Sequence, residues 1–248
     1  MFTLSLERLK QIKIILVGTT HSGNIGATAR AMKNMGLSQL ILVAPEAPFP
    51  SAEATARASG AVDVLQSVCC YPDLKSAIAD SQIVFGTSAR SRSLAWPMRT
   101  PRETAEEIFK HSFSVSLVFG REHSGLTNEE LALCHYWVQI PTDEQYSSLN
   151  LAAAVQVLCY ELRVQALTQI SANNTLSLSD PLDAPATAEA MNLFYAHLEQ
   201  TLIDIGFLDA QQPKQLMRRL QRLFHRAQPN INEVNILRGI LTAIKNKK

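Results

Sequence analysis

With 248 residues, the chain is long enough for one large α/β domain or for one such domain with a small appendage. Hydrophobic residues make up 46%, which excludes a disordered chain, and a charged fraction of only 18% suggests that further surface is buried in an oligomer. The formal net charge of +1 is unevenly distributed: residues 186–248 hold nine basic and five acidic side chains, which indicates an anionic partner at that end.

Cysteine spacing and apolar segments bear on the compartment. The four cysteines are Cys69, Cys70, Cys134 and Cys159. They form no C-x-x-C pair and have no zinc-ligand spacing with a histidine, so we interpret them as reduced thiols. Lys10 and Lys13 interrupt the N-terminal segment, which therefore lacks the pattern of a signal peptide. No stretch approaches the roughly 20 apolar residues of a membrane span. The sequence predicts a soluble, cytoplasmic protein.

Short apolar runs alternate with helical patterns over the first part of the chain. Strands are predicted at residues 12–17, 39–43, 83–85, 115–119 and 137–140. Helices are predicted at residues 25–35, 52–57, 74–79, 101–110 and 128–134, with Pro101 in a first turn and Thr127 as a cap. Because the strand runs are uninterrupted rather than alternating, both faces of the sheet should be covered. This β-α-β order predicts a mostly parallel α/β sheet.

The pattern changes after residue 148. Residues 149–169 are Ala-rich and apolar, and they predict one long helix. Residues 170–187 are rich in Ser, Asn, Asp and Pro, which predicts a linker. Three further helices are predicted at 189–205, 214–227 and 232–245. The C-terminal segment is therefore predicted to be a small helical unit.

Three loops after predicted strands carry Gly, Ser and Asn: residues 18–30 (GTTHSGNIGATAR), 119–126 (FGREHSGL) and 140–150 (IPTDEQYSSLN). The first lacks both the Gly-Lys-Ser/Thr ending of a P-loop and the G-x-G-x-x-G spacing of a dinucleotide site. Taken singly, each loop has a plain structural interpretation. Asn24 would cap a helix, and Ser147 or Ser148 would cap another. Arg30, Arg121 and Glu122 would be solvated.

The shared position of these loops is more informative than any one of them. Ligands of open α/β sheets collect at the carboxyl ends of the strands. Because all three loops follow strands, they are expected to meet at one edge of the sheet. The sequence therefore predicts a cofactor pocket at that edge.

Three motifs, at residues 24–36 (NIGATARAMKNMG), 117–131 (LVFGREHSGLTNEEL) and 140–157 (IPTDEQYSSLNLAAAVQV), resemble those of SPOUT-class (SpoU/TrmH-like) RNA 2′-O-methyltransferases. Their order and strand–loop context also match. Residues 86–92, 96–98, 197–202, 222–227 and 235–241 are similar to the bacterial enzymes that methylate the cytidine or uridine opening the tRNA anticodon loop. The resemblance covers nearly the whole chain except the linker.

The resemblance implies a fold and an assembly. It implies a SPOUT methyltransferase domain at residues 1–169, an α/β fold with a parallel sheet and a C-terminal trefoil knot. A linker at 170–187 and a C-terminal helical tRNA-binding extension at 188–248 would follow. It also implies a homodimer with the pocket near the interface. Residues 149–167 are expected in that interface, because few charged positions precede Glu161.

The resemblance also implies the cofactor S-adenosylmethionine and the substrate tRNA. The residues implied to bind the cofactor are Thr87, Ser88, Ala89, Gly120, Ile140, Ser147, Ser148 and Leu149. Small residues suit this task, because the adenine needs apolar walls and close approach to backbone groups. No metal is expected, since methyl transfer from a sulfonium needs alignment and charge handling rather than a Lewis acid.

The implied catalytic residues are Arg30, Asn24, Glu122, Ser148 and Asn150. A guanidinium is very hard to deprotonate, so we expect Arg30 to bind the adjacent phosphate and stabilise the developing alkoxide, not to act as a base. Asn24 and Asn150 would face the ribose and Arg30, and Glu122 would hold Arg30 by a charge-assisted hydrogen bond. For Glu122 and Asn150, bracing of the loops without substrate contact is the alternative.

Basic residues without intervening acids indicate where RNA would bind. They are Lys214, Arg218, Arg219, Arg222 and Arg226. Leu216, Leu220 and Leu223 are predicted on the opposite face of the same helix. We expect the basic face to contact the tRNA backbone, supported by Lys245, Lys247 and Lys248, with an ordinary solvated face as the alternative. Arg90 and Arg92 form a second candidate RNA patch.

Three other functions compete with this interpretation. The catalytic motifs do not distinguish tRNA from ribosomal RNA, or one tRNA position from another. A non-catalytic RNA-binding relative is disfavoured by the intact motif residues. A nucleotide-binding dehydrogenase is discounted, because its glycine spacing is missing and the second predicted strand ends without an acidic residue.

Overall fold

A computed structural model describes residues 2–89, 98–171, 184–209 and 215–245. Its seven strands are β1 Lys13–Val17, β2 Gln39–Val43, β3 Cys69–Tyr71, β4 Ile83–Thr87, β5 Met98–Arg99, β6 Val115–Phe119 and β7 Tyr136–Val138. They form one sheet in the order β3-β2-β1-β6-β4-β7-β5, and every neighbouring pair is parallel. The predicted parallel α/β sheet is confirmed.

Helices connect the strands and follow the last one. In the sheet domain they are α1 Phe2–Leu9, α2 Ser22–Met35, α3 Ala52–Ala58, α4 Val62–Gln66, α5 Leu74–Ala77, α6 Pro101–Lys110, α7 Asn128–Ala132 and α8 Leu151–Ser171, with a 3₁₀ turn at Ser59–Ala61. In the C-terminal part they are α9 Ala188–Asp204, α10 Leu216–Ala227 and α11 Ile231–Lys245. The predicted cap Thr127 and the predicted first-turn Pro101 are both found, each at a helix that begins with a capping box.

Both faces of the sheet are covered, as the uninterrupted apolar strands predict. On one face, alternate strand residues such as Ile14, Leu117 and Phe119 pack against α2, α6 and α8. On the other face, Ile15 and Val118 pack against the region of α5 and α7. Side chains of successive strand residues point to opposite faces, so β1, β2, β4, β6 and β7 each contribute to both clusters.

The short helix α4 and the 3₁₀ turn before it were not predicted, and neither were β3, β5 and α1. Strand β3 has the sequence Cys-Cys-Tyr and lies at one edge of the sheet, where two of its residues are exposed. Strand β5 has two residues at the other edge. Helix α1 has eight residues and is anchored by the fully buried Leu9. None of these segments carries the sustained apolar run by which the other strands were identified.

Helix α8 is apolar mainly because it lies in the core of its own chain. Leu151, Val155, Leu158 and Leu162 are buried in the same cluster as the strands. Its packing against α1, α2 and α6 therefore accounts for much of the low charge that suggested an interface. Among the described residues, no helix is both long and apolar enough to cross a membrane.

The C-terminal helices enclose a small core of their own. Met191, Phe194 and Tyr195 of α9 pack with Val234 and Leu241 of α11. Met217, Leu220, Phe224 and Leu237 complete this cluster. The C-terminal extension therefore has a hydrophobic core of its own that stabilises the packing of its helices.

The end of the predicted linker is packed rather than free. Residues 184–187 precede α9, and the backbone N–H of Ala186 donates to the carbonyl oxygen of Pro229 at 2.8 Å. The Gln82 side chain donates to the carbonyl oxygen of Pro185 at 3.0 Å. Backbone hydrogen bonds from Ala188 and Glu189 also reach the segment before β4. The extension is thus tied directly to the sheet domain.

The predicted apolar face of α10 was only partly right. Leu220 is half-buried, but Leu223 is 47% exposed. The side chains that contact the extension core are Met217, Leu220 and Phe224, and His225 is buried beside them. The buried face is therefore rotated from the predicted one, because it turns toward both α9 and the sheet domain.

Two buried histidines meet where α10 contacts the sheet domain. The rings of His135 and His225 have centroids 4.9 Å apart. Nδ1 of His135 accepts a hydrogen bond from the backbone N–H of Val84 at 3.1 Å. Burial lowers the pKa of His135 to about 4. Burial, and then the neighbouring His135, lower the pKa of His225 well below its ordinary value.

These histidines predict a loss of stability in acid. The pKa values of both histidines are lowered in the folded chain. Between the ordinary histidine pKa of 6.5 and the lowered value, about 4 for His135, the unfolded chain therefore binds more protons than the folded chain. Stability is complete above that range and falls as the pH drops through it, by roughly 3 kcal/mol for His135. Urea unfolding at pH 7 and pH 5 measures the loss. His225→Phe is expected to reduce the pH dependence, whereas His197→Gln on α9 is expected to leave it unchanged. An unaltered dependence in His225→Phe would contradict the assignment.

Candidate active site

Four loops converge at the carboxyl edge of the sheet. They follow β1, β6, β4 and β7, which are consecutive neighbours in the sheet. All four strands are parallel, so the loops leave them on the same side. The three motif loops of the sequence and the segment after β4 are thereby brought together.

A cleft lies between these loops. Its empty volume is about 1050 Å³, including the open mouth. All eight predicted cofactor residues line it: Thr87, Ser88, Ala89, Gly120, Ile140, Ser147, Ser148 and Leu149. Further lining residues that the sequence did not indicate include Leu126, Val138, Leu151 and Ala154, which add apolar surface. The mixed polar and apolar lining suits a nucleoside ligand.

The loop after β6 is closed tightly on itself. The backbone N–H of Arg121 donates to the carbonyl oxygen of Gly125 at 3.2 Å, and the reverse hydrogen bond is 2.9 Å. A Cβ at Gly120 would lie 2.1 Å from the carbonyl carbon of Gly125 and 2.2 Å from the backbone nitrogen of Leu126. Gly120 is therefore required by the approach of its own loop, whereas the sequence interpretation assigned that approach to a cofactor.

Glu122 is the centre of a hydrogen-bonded chain beside the cleft, which it also lines. Its Oε2 accepts from the backbone N–H of Thr20 at 3.0 Å and from Thr20 Oγ1 at 2.9 Å. Its Oε1 accepts from Asn24 Nδ2 at 2.8 Å. Asn24 Oδ1 in turn accepts from Asn150 Nδ2 at 3.0 Å. This chain connects the loops that follow β1, β6 and β7.

The chain of hydrogen bonds keeps Glu122 ionised. Burial opposes the charged form, but the hydrogen bonds from Asn24 and Thr20 outweigh it and hold the pKa of Glu122 below its ordinary value. A carboxylate accepts hydrogen bonds and donates none. Its charge therefore fixes the Asn24 amide with the nitrogen toward Glu122 and the oxygen toward Asn150.

Asn150 also begins the long helix. Its Oδ1 accepts from the backbone N–H of Ala152 at 3.0 Å and of Ala153 at 3.4 Å. The plain structural alternative for this loop, in which Ser147 or Ser148 caps the helix, is therefore wrong. Asn24 is not a cap either, because α2 begins at Ser22 and Asn24 lies in its first turn. The Asn24 side chain belongs to the hydrogen-bonded chain, whereas the Asn150 side chain caps α8 through Oδ1 and joins that chain through Nδ2.

The two arginines of the motifs differ in their surroundings. Arg121 forms a bidentate ion pair with Glu130, with N–O distances of 3.0 and 3.1 Å, and that hydrogen bonding raises its pKa. Arg30 is exposed and has no hydrogen bond or ion pair with any residue that the structure describes. The predicted hydrogen bond from Arg30 to Glu122 is absent, because Thr20 and Asn24 occupy the carboxylate.

Three of the five predicted catalytic residues are thus joined by hydrogen bonds, and the other two are not. Asn24, Glu122 and Asn150 are hydrogen-bonded together. Ser148 is exposed on the wall of the cleft. Arg30 lies six residues beyond Asn24 on α2, about 9 Å along the helix axis at 1.5 Å per residue.

The predicted RNA-binding residues lie mostly on α10. Arg219 and Arg226 are exposed, and Arg222 is half-buried. Arg218 pairs with Glu129 of α7 at 3.3 Å, and Lys245 pairs with Asp204 at 2.9 Å. Arg90, Arg92, Lys214, Lys247 and Lys248 lie outside the described residues.

Comparison with protein families agrees with this arrangement. Residues 11–160, more than half of the chain, match the model of the SpoU rRNA Methylase family. The chain therefore belongs to the SpoU methylase family, and the expected enzyme class and parallel α/β fold are confirmed. Residues 189–248 match a second model, described as the C-terminal domain of the tRNA methyltransferase TrmJ.

Similar proteins cover nearly the whole chain. The tRNA (cytidine/uridine/adenosine-2′-O-)-methyltransferase TrmJ of Pseudomonas aeruginosa (strain UCBPP-PA14) is 51% identical over 94% of this chain and 93% of its own. The tRNA (cytidine/uridine-2′-O-)-methyltransferase TrmJ of Photorhabdus laumondii is 48% identical over 96% of this chain and 98% of its own.

Solved structures support the same assignment. The crystal structure of TrmJ from Z. mobilis ZM4 gives a TM-score of 0.82 at 33% identity, covering 94% of this chain and 98% of that chain. A probable methylase family protein from Haemophilus influenzae Rd KW20 gives a TM-score of 0.65 at 40% identity, covering 96% and 97%. Both similarities extend through the C-terminal helices.

Proposed function

We propose that this protein transfers a methyl group from S-adenosylmethionine to the ribose 2′-hydroxyl of a tRNA nucleotide, the cytidine or uridine that opens the anticodon loop. The observation that carries the proposal is the position of Glu122. It lines the cleft and also begins the hydrogen-bonded chain that runs through Asn24 to Asn150. The names of the relatives from P. aeruginosa and P. laumondii support tRNA as the substrate class.

The cleft fits S-adenosylmethionine. Leu126, Val138 and Leu151 offer apolar surface for the adenine, and Ser88 and Ala89 contribute small side chains to the lining. When bound, S-adenosylmethionine supplies an electrophilic methyl group on a sulfonium. The eight residues proposed to hold it are Thr87, Ser88, Ala89, Gly120, Ile140, Ser147, Ser148 and Leu149.

Arg30 has the chemistry to handle the charge that develops on the RNA. Attack of the 2′-hydroxyl on the methyl carbon would break the bond between that carbon and the sulfonium sulfur, which would leave as a neutral thioether. The hydroxyl proton would pass to a phosphate oxygen or to water, and a nearby cation would stabilise the charge that develops on the 2′-oxygen. The exposed guanidinium of Arg30 has its donors available for this oxygen and for the adjacent phosphate. Asn24 and Asn150 are proposed to orient the ribose, and Ser148 to position it beside the cleft. Ionised Glu122 keeps both amides in one orientation.

The C-terminal helices are proposed to bind the tRNA backbone. The division into a methyltransferase domain at 1–169, a linker at 170–187 and an extension at 188–248 is part of this proposal. It is supported by the separate core of α9–α11 and by the two family matches. The exposed guanidinium groups of Arg219 and Arg226 on α10 suit phosphate binding.

Removing those arginines tests the RNA-binding role. Arg219→Ala combined with Arg226→Ala is expected to weaken tRNA binding and to reduce the slope of log affinity against log salt by about 1 for each phosphate that is no longer neutralised. Binding of S-adenosylmethionine is expected to be unchanged. Titration of labelled tRNA at several salt concentrations measures both the affinity and the slope. Lys10→Ala, just before the amino end of β1, is the matched control, and equal salt slopes in the two variants would contradict the proposal.

We further propose that the protein works as a homodimer in the cytoplasm. Tyr160 and Leu167 of α8 are 53% and 44% exposed, which leaves apolar surface on that helix for a second copy. The four cysteines are free, as suits a reducing compartment. The trefoil knot remains a prediction from the family resemblance.

Methyl transfer tests the proposed function directly. The purified protein is incubated with S-adenosylmethionine and unmodified tRNA, and 2′-O-methylation is mapped by nuclease digestion and mass spectrometry. A methyl group on the first nucleotide of the anticodon loop is the expected result. Unmodified ribosomal RNA is tested in parallel, because the matched family is described as rRNA methylases. Methylation of ribosomal RNA alone would overturn the tRNA assignment.

A further inference from the structure

We infer that Thr20 is a positioning residue for methyl transfer, acting through Glu122 and Asn24 without contacting the substrate. This inference rests on the proposed function. Thr20 lies in the turn between β1 and α2, upstream of the motif at residues 24–36. It is half-buried and is separated from Glu122 by 102 positions in the sequence.

Thr20 holds Oε2 of the Glu122 carboxylate by two hydrogen bonds. Both its backbone N–H and its hydroxyl donate to Oε2, at 3.0 and 2.9 Å. The other oxygen, Oε1, accepts from Asn24. With donors on both oxygens, the carboxylate cannot rotate without breaking hydrogen bonds to a charged group, which are stronger than those between neutral groups.

The orientation of the Glu122 carboxylate determines how the side-chain amides of Asn24 and Asn150 are oriented. Asn24 presents its nitrogen to the carboxylate, so its oxygen is left to accept from Asn150. Without the Thr20 hydroxyl, Oε2 keeps only the backbone donor, so the carboxylate is held less firmly against turning toward the cleft that it lines. The constraint that selects one orientation of the two amides is weakened in turn.

The adjacent residue provides a matched control. Thr19 is fully buried, and its Oγ1 has no hydrogen-bond partner among the described residues. Replacing either threonine with valine removes one hydroxyl from the same turn at nearly the same volume. Only Thr20→Val removes a hydrogen bond, so a general disturbance of the turn and a specific effect on Glu122 are separated.

The test compares steady-state methylation by Thr20→Val, Thr20→Ser and Thr19→Val, with thermal unfolding of each variant. Thr20→Val is expected to lose about ten-fold in kcat, from the strength of one hydrogen bond to a charged group. KM for S-adenosylmethionine is expected to stay within about two-fold, because Thr20 does not line the cleft. Thr20→Ser keeps the hydroxyl and is expected to restore kcat, and Thr19→Val is expected to match the unmodified chain.

Two results would overturn the inference: a kcat in Thr20→Val equal to that of Thr19→Val, or a Thr20→Ser variant as slow as Thr20→Val. A second readout does not depend on activity. The Glu122 carboxyl, followed by ¹³C NMR as the pH is lowered, is expected to titrate at higher pH in Thr20→Val than in Thr19→Val, because a hydrogen bond that lowers its pKa is gone. If the unmodified chain methylates no tRNA, the proposed function fails, and equal Glu122 midpoints would still refute the role of Thr20.

Discussion

Arg30→Ala is expected to lower kcat for tRNA methylation by about 10²- to 10³-fold while the chain remains folded. Arg30 is exposed on α2 and has no partner among the described residues, so its removal leaves no buried group unsatisfied. What is lost is the cation proposed to stabilise the developing charge on the ribose oxygen. Single-turnover methylation at saturating cofactor and tRNA, with thermal unfolding alongside, measures both parts of the expectation.

Two further substitutions sharpen this result. Lys33→Ala removes another cation from the same helix, where Lys33 pairs with Asp63 on the surface, and it is expected to leave kcat unchanged. Arg30→Lys keeps the charge but loses the planar fork of donors, so its kcat is expected to lie between those of the unmodified chain and Arg30→Ala. An Arg30→Ala variant as fast as Lys33→Ala would remove Arg30 from the chemistry.

The central strands were predictable because burial on both faces is visible in the sequence. Strands β1 and β6 are apolar apart from Lys13 and Ser116, and they lie in the middle of the sheet. The edge strand β3 was missed because its residues pair on one side only and two of them are exposed to solvent. The rotated buried face of α10 was missed for a related reason: helical periodicity indicates one apolar stripe, whereas this helix contacts two partners.

The position of the site in the fold could be predicted from the sequence, but the hydrogen bonds within the site could not. Loops that follow parallel strands meet at one edge, so sequence order predicted where the pocket lies. The family resemblance, not sequence order, implied the eight residues that line it. The partner of Glu122 depends on distances within that edge, which the sequence does not contain. Charge suggested Arg30, whereas the carboxylate is bound by the neutral donors of Thr20 and Asn24. A polar residue just after a buried strand was the available signal for Thr20, but threonine is common in such turns.

Gly120→Ala is expected to destabilise the protein by about 3 kcal/mol or more and to abolish binding of S-adenosylmethionine. The added Cβ would lie 2.1 Å from the carbonyl carbon of Gly125 and 2.2 Å from the nitrogen of Leu126. Both are backbone atoms, so this steric overlap can be removed only if the loop after β6 opens. Opening the loop would break its two Arg121–Gly125 hydrogen bonds. That loop forms one wall of the cleft, so the same movement removes the binding surface. Urea unfolding without ligand and calorimetric titration with S-adenosylmethionine measure the two effects.

Two other glycines separate steric overlap from backbone strain. A Cβ at Gly125 meets nothing within 4 Å, but its φ of +69° is unfavourable for alanine, so Gly125→Ala is expected to lose only about 1–2 kcal/mol. Gly60 has neither problem, and Gly60→Ala is expected to be neutral or slightly stabilising. If Gly120→Ala were as stable as Gly60→Ala and failed only to bind the cofactor, Gly120 would serve the cofactor's approach, as the sequence first suggested. The expected order, with Gly120→Ala the least stable even without ligand, would mean that this glycine is required to fold the loop before any ligand binds.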